Sequence, residues 1–535
     1  MYVIADLQLH SRFSRAVSPQ MTIPNIALWA RRKGIGLVAT GDWTHPIWFR
    51  EIERVLEELG NGLLRLRSGE VNKGVALEGS PFDSSRQGPD RAGADRDVSA
   101  KAMTGLEKTR PPAPQATSFA QDPLFLLATE VSSIYSQGGK LRRVHTLIWV
   151  PTLESARKIS QEMTRRGCNL MSDGRPIVGL SCIHIAELVL SIEPRALIIP
   201  AHAWTPWFSV YGEKGGFENL DEAFGPYAKN IYAIETGLSS NPAMNWRIKE
   251  LDNRSIVSFS DAHSGPKIGR EATVFEVPDG QLSYDAIYQA IKGPSQKNGE
   301  WRMENGGIKN QKSKASLNSQ FSILNSRIAY TIEFYPEEGK YHYSGHRACG
   351  IRWGPAETKT KGTTCPVCGK PLVQGVVQRV EALAGRSEAD LQLSAISYSP
   401  RLSSGEAGQL SDNITIPMIA SKAFPNRPPF AMLVPLQEII SEAIGSPVAS
   451  PKVQGPYGTL TDALGGEFSV LLHSTMDEIA KIAGERVAQG IDKVRRGDLV
   501  IEPGYDGVFG VVRLWHEGEE KPLLAASKEQ LSMFP

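Results

Sequence analysis

Along residues 1–294 the hydrophobic positions fall into two alternating kinds of segment. Short apolar, β-rich runs cover 2–5, 36–40, 124–129, 144–150, 196–200, 231–234, 256–259 and 272–277. Between several of them the apolar positions recur every three or four residues, which predicts helices over 22–33, 47–59, 152–166 and 283–292. These helices carry end signals: Thr152 is an N-cap, and Gly34, Gly60 and Gly167 close three of them. Strands alternating with helices predict parallel β–α units. About seven or eight such units in so short a stretch predict a closed barrel, an α/β fold.

The pattern then changes. Residues 72–122 are rich in Gly, Ser, Pro, Asp and Arg with little periodicity, which predicts a disordered surface insert. Residues 295–326 are polar and Lys/Asn-rich, as a linker would be. A compact Cys/His-bearing segment at 327–400 reads as a small zinc-binding domain, and 401–535 as a mainly helical domain. In the latter, 430–445 reads as a helix after a Pro-rich approach and 475–496 as one long helix. A tight turn at Gly504-Tyr-Asp-Gly507 precedes a strand over 508–515, giving a terminal hairpin.

Composition sets the bounds. The chain has 535 residues, which implies roughly three to four domains. Its 41% hydrophobic content is that of a globular protein, and a net charge of +1 neither announces nor excludes nucleic acid. Five cysteines, three of them clustered late, point to a reducing cytoplasm and a metal site, not a disulfide framework. The N-terminus lacks the pattern of a signal peptide, and no apolar run is long enough for a membrane span, so a cytoplasmic protein is expected.

The chemistry lies at the strand ends. Asp6, Asp42, Glu130, His202, Glu235 and Asp261 sit at or just after the ends of apolar runs, where barrel enzymes place their active sites. His10, His45 and His263 follow closely, while His145 lies near the start of its run. Taken singly, such groups are more often satisfied polar contacts. Together they would be costly to bury unless metals neutralised them. They offer ligands for two or three divalent ions, with Glu130 as the natural bridge. Phosphoester hydrolysis suits such a cluster, and amide or deaminase chemistry stays open on residue types alone. Arg12, Arg143 and Arg270 are candidates to hold a phosphate, against the plainer reading of solvated loop charges. His346-x-x-Cys349 and Cys365-x-x-Cys368 form two half-sites for structural Zn²⁺, with His342 a rival fourth ligand and packed thiols the alternative. Trp204, Tyr330, Glu333 and Tyr335 could line a pocket for a flipped base, or simply fill a thin core.

In combination, Asp6-x-x-x-His10, Gly41-Asp42-x-x-His45, Glu130, His145, His202 and Asp261-x-His263 resemble the polymerase-and-histidinol-phosphatase (PHP) superfamily of distorted barrels. The stretches ADLQLHSRFSRA, ATGDWTHP, TEVSSIYSQGGKLRRVH, PAHAWTPWFS, FSDAHSGPKIGREAT, TIEFYPEEGKYHYSGHRACG and CPVCGKPL are similar to the endonuclease Q family within it. The resemblance implies a DNA repair nuclease that nicks 5′ to uracil, hypoxanthine, xanthine or abasic sites. It implies Asp6, His10, Glu130, Asp261 and His263 as catalytic, within a metal set that also holds Gln8, Asp42, His45, His145 and His202. Zn²⁺ is the expected structural ion, and Zn²⁺, Mg²⁺ or Mn²⁺ the expected active-site ion. Damaged DNA, double- or single-stranded, is the expected partner, a sliding clamp a second candidate partner, and the nucleoid the expected location.

One residue departs from the family. Its first motif is Asp-x-His-x-His, and here Gln8 replaces the first histidine. A neutral amide is a poor ligand for Zn²⁺. Two other functions therefore stay open: a phosphatase of small monoesters, and a lesion-binding protein without catalysis.

Overall fold

A computed structural model of the chain describes residues 1–69, 122–293, 326–398, 416–516 and 518–519. The expected insert at 72–122 and linker at 295–326 fall, but for residues 122 and 326, outside the described residues.

The strands in chain order are β1 (Tyr2–Asp6), β2 (Leu37–Ala39), β3 (Leu56–Glu58), β4 (Leu64–Leu66), β5 (Leu124–Gln137), β6 (Lys140–Val150), β7 (Ile177–Val178), β8 (Leu197–Pro200), β9 (Ala233–Glu235), β10 (Ser255–Val257), β11 (Ala272–Glu276) and β12 (Arg327–Glu333). One curved arc runs β11-β1-β2-β5-β6-β8. The parallel pair β9–β10 completes the circuit. Ala203 N–H donates to Glu235 O at 3.0 Å, coupling the end of β8 to β9. The Thr273 hydroxyl accepts from Ser258 N–H and donates to Ser258 O, coupling the end of β10 to β11. Side-chain bonds thus close part of the ring, and the barrel is distorted.

The parallel array expected from the pattern is only partly present. β1–β2, β2–β5 and β9–β10 are parallel, but β1–β11, β5–β6 and β6–β8 are antiparallel. The reason is local. Gly138 and Gly139 both have positive φ, 60° and 71°, and make a two-residue turn with no room for a crossover helix. β5 therefore continues past Glu130 to Gln137, so Glu130 lies inside a strand, not at its end.

Helices Ile23–Lys33, Leu153–Arg165 and Tyr284–Lys292 match the periodicity. Thr152 accepts from Ser155 N–H, and Gly34 at φ 84° returns its N–H to Ala30 O and Arg31 O. The second helix, Pro46–Val55, is shorter than expected, because 56–58 leave it to pair with β4. The long helix over 475–496 is two, Met476–Ala483 and Glu485–Arg496, broken at Gly484 with φ 88°. Of the 430–445 segment only Leu436–Ile444 is helical, preceded by the strand Phe430–Met432.

β12, grouped by composition with the zinc segment, is hydrogen-bonded to β11, and Phe430–Met432 and Ile416–Ser421 extend the same sheet. The helices after residue 435 pack on the barrel through a buried ion pair. Lys33 Nζ lies 2.6 Å from Glu467 Oε2, with side chains 1% and 4% exposed. Tyr457 donates to the same oxygen and Leu436 N–H to the other. Glu467→Ala would strand the Lys33 ammonium in the core, at a cost of about 3–5 kcal/mol. Urea unfolding followed by tryptophan fluorescence should show a clearly lower midpoint; an unchanged midpoint would show that the pair does not hold the two parts together.

Candidate metal centre and active site

Three residues at the barrel mouth are held in left-handed backbone: Asp42 at φ 44°, His202 at 29° and Asp261 at 48°. Non-glycine residues pay strain there, and such positions collect at functional sites. Each follows a short strand, β2, β8 or β10, where the chain turns sharply away from the sheet.

The β5–β6 hairpin supplies the next pair. His145 lies opposite Ser132, and Glu130 is two residues from Ser132, so Glu130 and His145 share a face as diagonal neighbours. His145 Nδ1 contacts Glu130 Oε1, and His202 Nε2 lies 3.2 Å from His145 Nδ1. Across the mouth, His10 Nε2 stands 3.1 Å from Glu130 Oε2 and 3.1 Å from Asp261 Oδ1. Two sets of donor atoms result: His10 with Asp261 and His263, and Glu130 with His145 and His202, each set within 4.8 Å. Glu130 touches both.

The electrostatics favour a cation here. His10 Nδ1 lies 3.0 Å from Asp42 Oδ1, and Asp42 Oδ2 accepts from Ser11 N–H, Ser11 Oγ and Ser14 Oγ. That orients the ring with its Nδ1 proton toward Asp42 and Nε2 toward the carboxylates. Nε2 and two carboxylate oxygens then converge, a crowding of acceptors that a proton, a metal ion or a neighbouring cationic donor relieves. Burial pushes Glu130 up, but His145 and Arg175 outweigh it and hold the carboxyl well below the usual range. Burial opposes Asp261 as well, yet His10 brings it to about 2. Glu235 is driven well above the carboxylate range by burial and by Asp261, Glu130 and Asp6. Gln8 Oε1 and Glu235 Oε1 are buried without a hydrogen-bond partner among the described residues. Imidazole and carboxylate donors in this arrangement fit divalent Zn²⁺ or Mn²⁺, and a Mg²⁺ ion through the carboxylates.

Several expected ligands do something else. Asp6 spends both oxygens on Ser260 N–H at 3.0 Å, Ser260 Oγ at 2.5 Å and Gly269 N–H at 2.9 Å. Burial pushes its carboxyl up to about 6 despite these bonds. It ties β1 to the loop after β10 and closes the barrel seam. His45 turns away: its Nδ1 accepts from Trp48 N–H, capping Pro46–Val55, and its ring stacks on Phe13. Asp42 acts one step removed, through His10. Gln8 Nε2 donates to Glu130 Oε2 at 2.9 Å.

The expected pocket residues are also relocated. Trp204 is buried and donates to Asn245 Oδ1 at 2.8 Å. Tyr330, Glu333 and Tyr335 are buried, and Glu333 accepts from Ser258 Oγ and Thr331 Oγ1. Tyr330 and Glu333 lie on β12, an inner strand of the sheet between β11 and Phe430–Met432, and Tyr335 follows it, buried as well, so these side chains fill core. The opening lies beside them. A cavity of about 320 Å³ is lined by Thr205, Trp207, Lys340, Tyr341, His342 and Phe509, among others. Arg12 pairs with Glu51 at 2.6 Å. Arg143 is half-buried on β6, two residues from His145 and on its face of the strand. Arg270 donates to Ser260 O and Asp261 O, bracing the loop that carries Asp261.

Sequence reasoning missed Arg175. Its guanidinium lies 3.4 Å from His10 Nε2 and 3.5 Å from Glu130 Oε1. No sequence pattern marks it; in the structure the turn Asp173-Gly174-Arg175-Pro176 places its glycine where a side chain would collide. A Cβ on Gly174 would fall 2.3 Å from Asp42 Oδ2.

In the second centre the ligand atoms of His346, Cys349, Cys365 and Cys368 lie within 4.8 Å of one another. The hairpin of Ser344–His346 with Ile351–Trp353 presents the first pair. A knuckle with Gly369 at φ 71°, its N–H returned to Cys365 O, presents the second. The set fits tetrahedral Zn²⁺. The rival, His342, lies apart in the cavity wall.

A family model described as the MJ0043 C-terminal domain matches residues 435–498. An uncharacterized protein of Methanocaldococcus jannaschii, MJ0043, is 28% identical over 313 residues, 58% of this chain and 31% of that protein. The match thus spans less than a third of that relative's length. An uncharacterized Bacillus subtilis protein, YqxK, is 26% identical over 377 residues, 69% of this chain and 74% of that protein. Among solved structures, the lesion-specific endonuclease PfuEndoQ of Pyrococcus furiosus is 26% identical with a TM-score of 0.66, covering 96% of this chain and 95% of that one. A complex of endonuclease Q with a 27-mer duplex bearing an abasic lesion at its active site is 27% identical with a TM-score of 0.65, covering 96% of each chain.

The two metal centres should separate on mutation. Asp42→Asn should weaken barrel metal affinity about 10–100-fold by freeing the His10 ring, while the thiolate zinc stays. Cys365→Ser should do the reverse. Metal content after graded chelation reads both; loss of both metals from either variant would contradict two independent sites.

Proposed function

We propose that this chain, which belongs to the endonuclease Q family, is a metal-dependent DNA repair endonuclease that cuts the phosphodiester 5′ to a damaged nucleotide. The observation that carries this reading is Glu130, one buried carboxylate touching two imidazole-bearing donor sets. His10, Asp261 and His263 would hold one divalent ion, and Glu130, His145 and His202 another. Such ions, when bound, supply Lewis acidity at the phosphoryl group and an activated water. The chain's own residues set the stage for it. Asp42 holds the tautomer of His10, Gln8 and His145 fix the two oxygens of Glu130, and Arg270 braces the Asp261 loop.

Recognition of the lesion is assigned to the cavity. Its volume of about 320 Å³ and its aromatic walls suit an extruded nucleotide. Trp207 and Phe509 are exposed and able to stack on any base. Tyr341 packs edge-on against Trp207, and Lys340 lies over Phe509. His342 Nδ1 is buried without a partner among the described residues and offers an edge hydrogen bond. Uracil, hypoxanthine, xanthine and abasic sites are the substrates we assign. A phosphatase of small monoesters would have no use for a base-sized aromatic cavity beside the metals.

Labelled duplexes with one uracil, one hypoxanthine or one abasic site test the reading. A nick 5′ of the lesion should appear with Mn²⁺, Mg²⁺ or Zn²⁺, vanish with EDTA and with Asp261→Asn, and spare undamaged DNA. Release of phosphate from p-nitrophenyl phosphate with intact duplexes would instead identify a phosphatase. Trp207→Ala should weaken binding of base-bearing lesions by about tenfold, from loss of about 1–3 kcal/mol of stacking, with abasic DNA little affected. Equal losses on both substrates would remove the cavity from recognition.

A further inference from the structure

Arg175 has no role in the reading above, yet its side chain reaches the centre of the site. The loop that carries it is pinned on three sides. Gly174 N–H donates to Phe13 O, Asp173 Oδ1 accepts from the N–H groups of Arg15 and Arg175, and Ser132 N–H donates to Pro176 O. Gly174 packs on Asp42 so closely that no side chain fits. The guanidinium is therefore aimed, not draped. It points between the two donor sets, 3.4 Å from His10 Nε2 and 3.5 Å from Glu130 Oε1, and its side chain remains 22% exposed at the mouth.

Those contacts compete with metal. His10 Nε2, beside the Arg175 guanidinium, is an atom that an ion at this site would need, and the Glu130 oxygen belongs to the neighbouring donor set. An ion about 2.0–2.2 Å from these atoms would stand against the guanidinium and repel it. With the loop anchored, the side chain's exposed part faces solvent. An arginine fork beside divalent ions, facing a polyanion, is matched to a phosphoryl group.

We propose that Arg175 is a phosphate-positioning residue that serves the metal-free protein as a stand-in cation and moves to the DNA phosphate when ions arrive. The second half rests on the endonuclease reading; the first does not. In the metal-free state the fork holds Glu130 and His10 against Asp261 and Asp42. In the loaded state it takes a phosphate oxygen at the cleavage position.

Arg175→Gln and Arg175→Lys full-length variants test this without depending on turnover. In EDTA, Arg175→Gln should melt below the parent, and with Mn²⁺ the difference should vanish. Binding of a nicked duplex with a 5′-phosphate before uracil, in Mn²⁺, should weaken about tenfold, and the log–log salt slope should become shallower by about one. Arg175→Lys should recover the slope but only part of the affinity, since it keeps the charge and loses the fork. Equal destabilisation with and without Mn²⁺ would reduce Arg175 to a structural brace and overturn the stand-in role. Unchanged affinity and slope would overturn the phosphate role. If the parent nicked no DNA at all, the endonuclease reading would fall while the melting comparison still judged the stand-in role.

Discussion

Glu130 is a carboxylate held 2% exposed in the wall of a barrel, facing imidazoles on both sides, and the arrangement of the mouth follows from that burial. A buried charge needs partners or a cation. Here the partners include further acceptors: His10 Nε2, turned inward by Asp42, and Asp261 Oδ1. The surplus of acceptors makes the site a cation trap. Much of the local structure keeps those acceptors from relaxing apart. The left-handed residues Asp42, His202 and Asp261 hold strained backbone against the sheet. Arg270 holds the Asp261 loop from behind, and Asp6, itself buried, locks β1 to Ser260 and Gly269.

Asp6 and Gln8 show how a motif residue can matter through hydrogen bonds. Asp6 makes the seam that lets strands of mixed direction close into a ring. Gln8 fills the place of a histidine with a group that donates to Glu130 instead of competing for a metal. The consequence is a mouth organised as two donor sets, with Gln8 holding one Glu130 oxygen and His145 the other. The cavity lies against the same loop as His202, since Thr205, Pro206 and Trp207 line it directly after that histidine. Under the proposed function, recognition and chemistry would share one loop.

Much of this was legible in the sequence, in specific places. Apolar runs located the barrel strands and the acids and histidines around them, and four Cys/His residues announced the second centre. The topology was not legible, because apolar periodicity carries no strand direction, and the two glycines that turn β5 back on β6 looked like any loop. Ligand and buttress could not be told apart either. Asp6, Asp42 and His45 have the right residue types, and only the hydrogen bonds to Ser260, Ser11 and Trp48 separate their roles. Of the two readings open for Tyr330 and Tyr335, pocket lining or core filling, the structure takes the second: Tyr330 lies on β12, which is paired on both sides, Tyr335 follows it, and both are buried. Arg175 was missed because a lone arginine in a loop has no periodic or motif signal, and its importance comes from what folds over it.

The central claim is that Glu130 is the shared carboxylate of a two-ion site. Titrating chelator-treated protein with Co²⁺ tests it directly, since thiolate-bound cobalt gives an intense near-ultraviolet charge-transfer band and cobalt on imidazole and carboxylate gives only weak visible bands. The account requires both classes in the parent protein, and in Glu130→Gln loss of the weak class with the thiolate band intact. Retention of both classes in Glu130→Gln would contradict it.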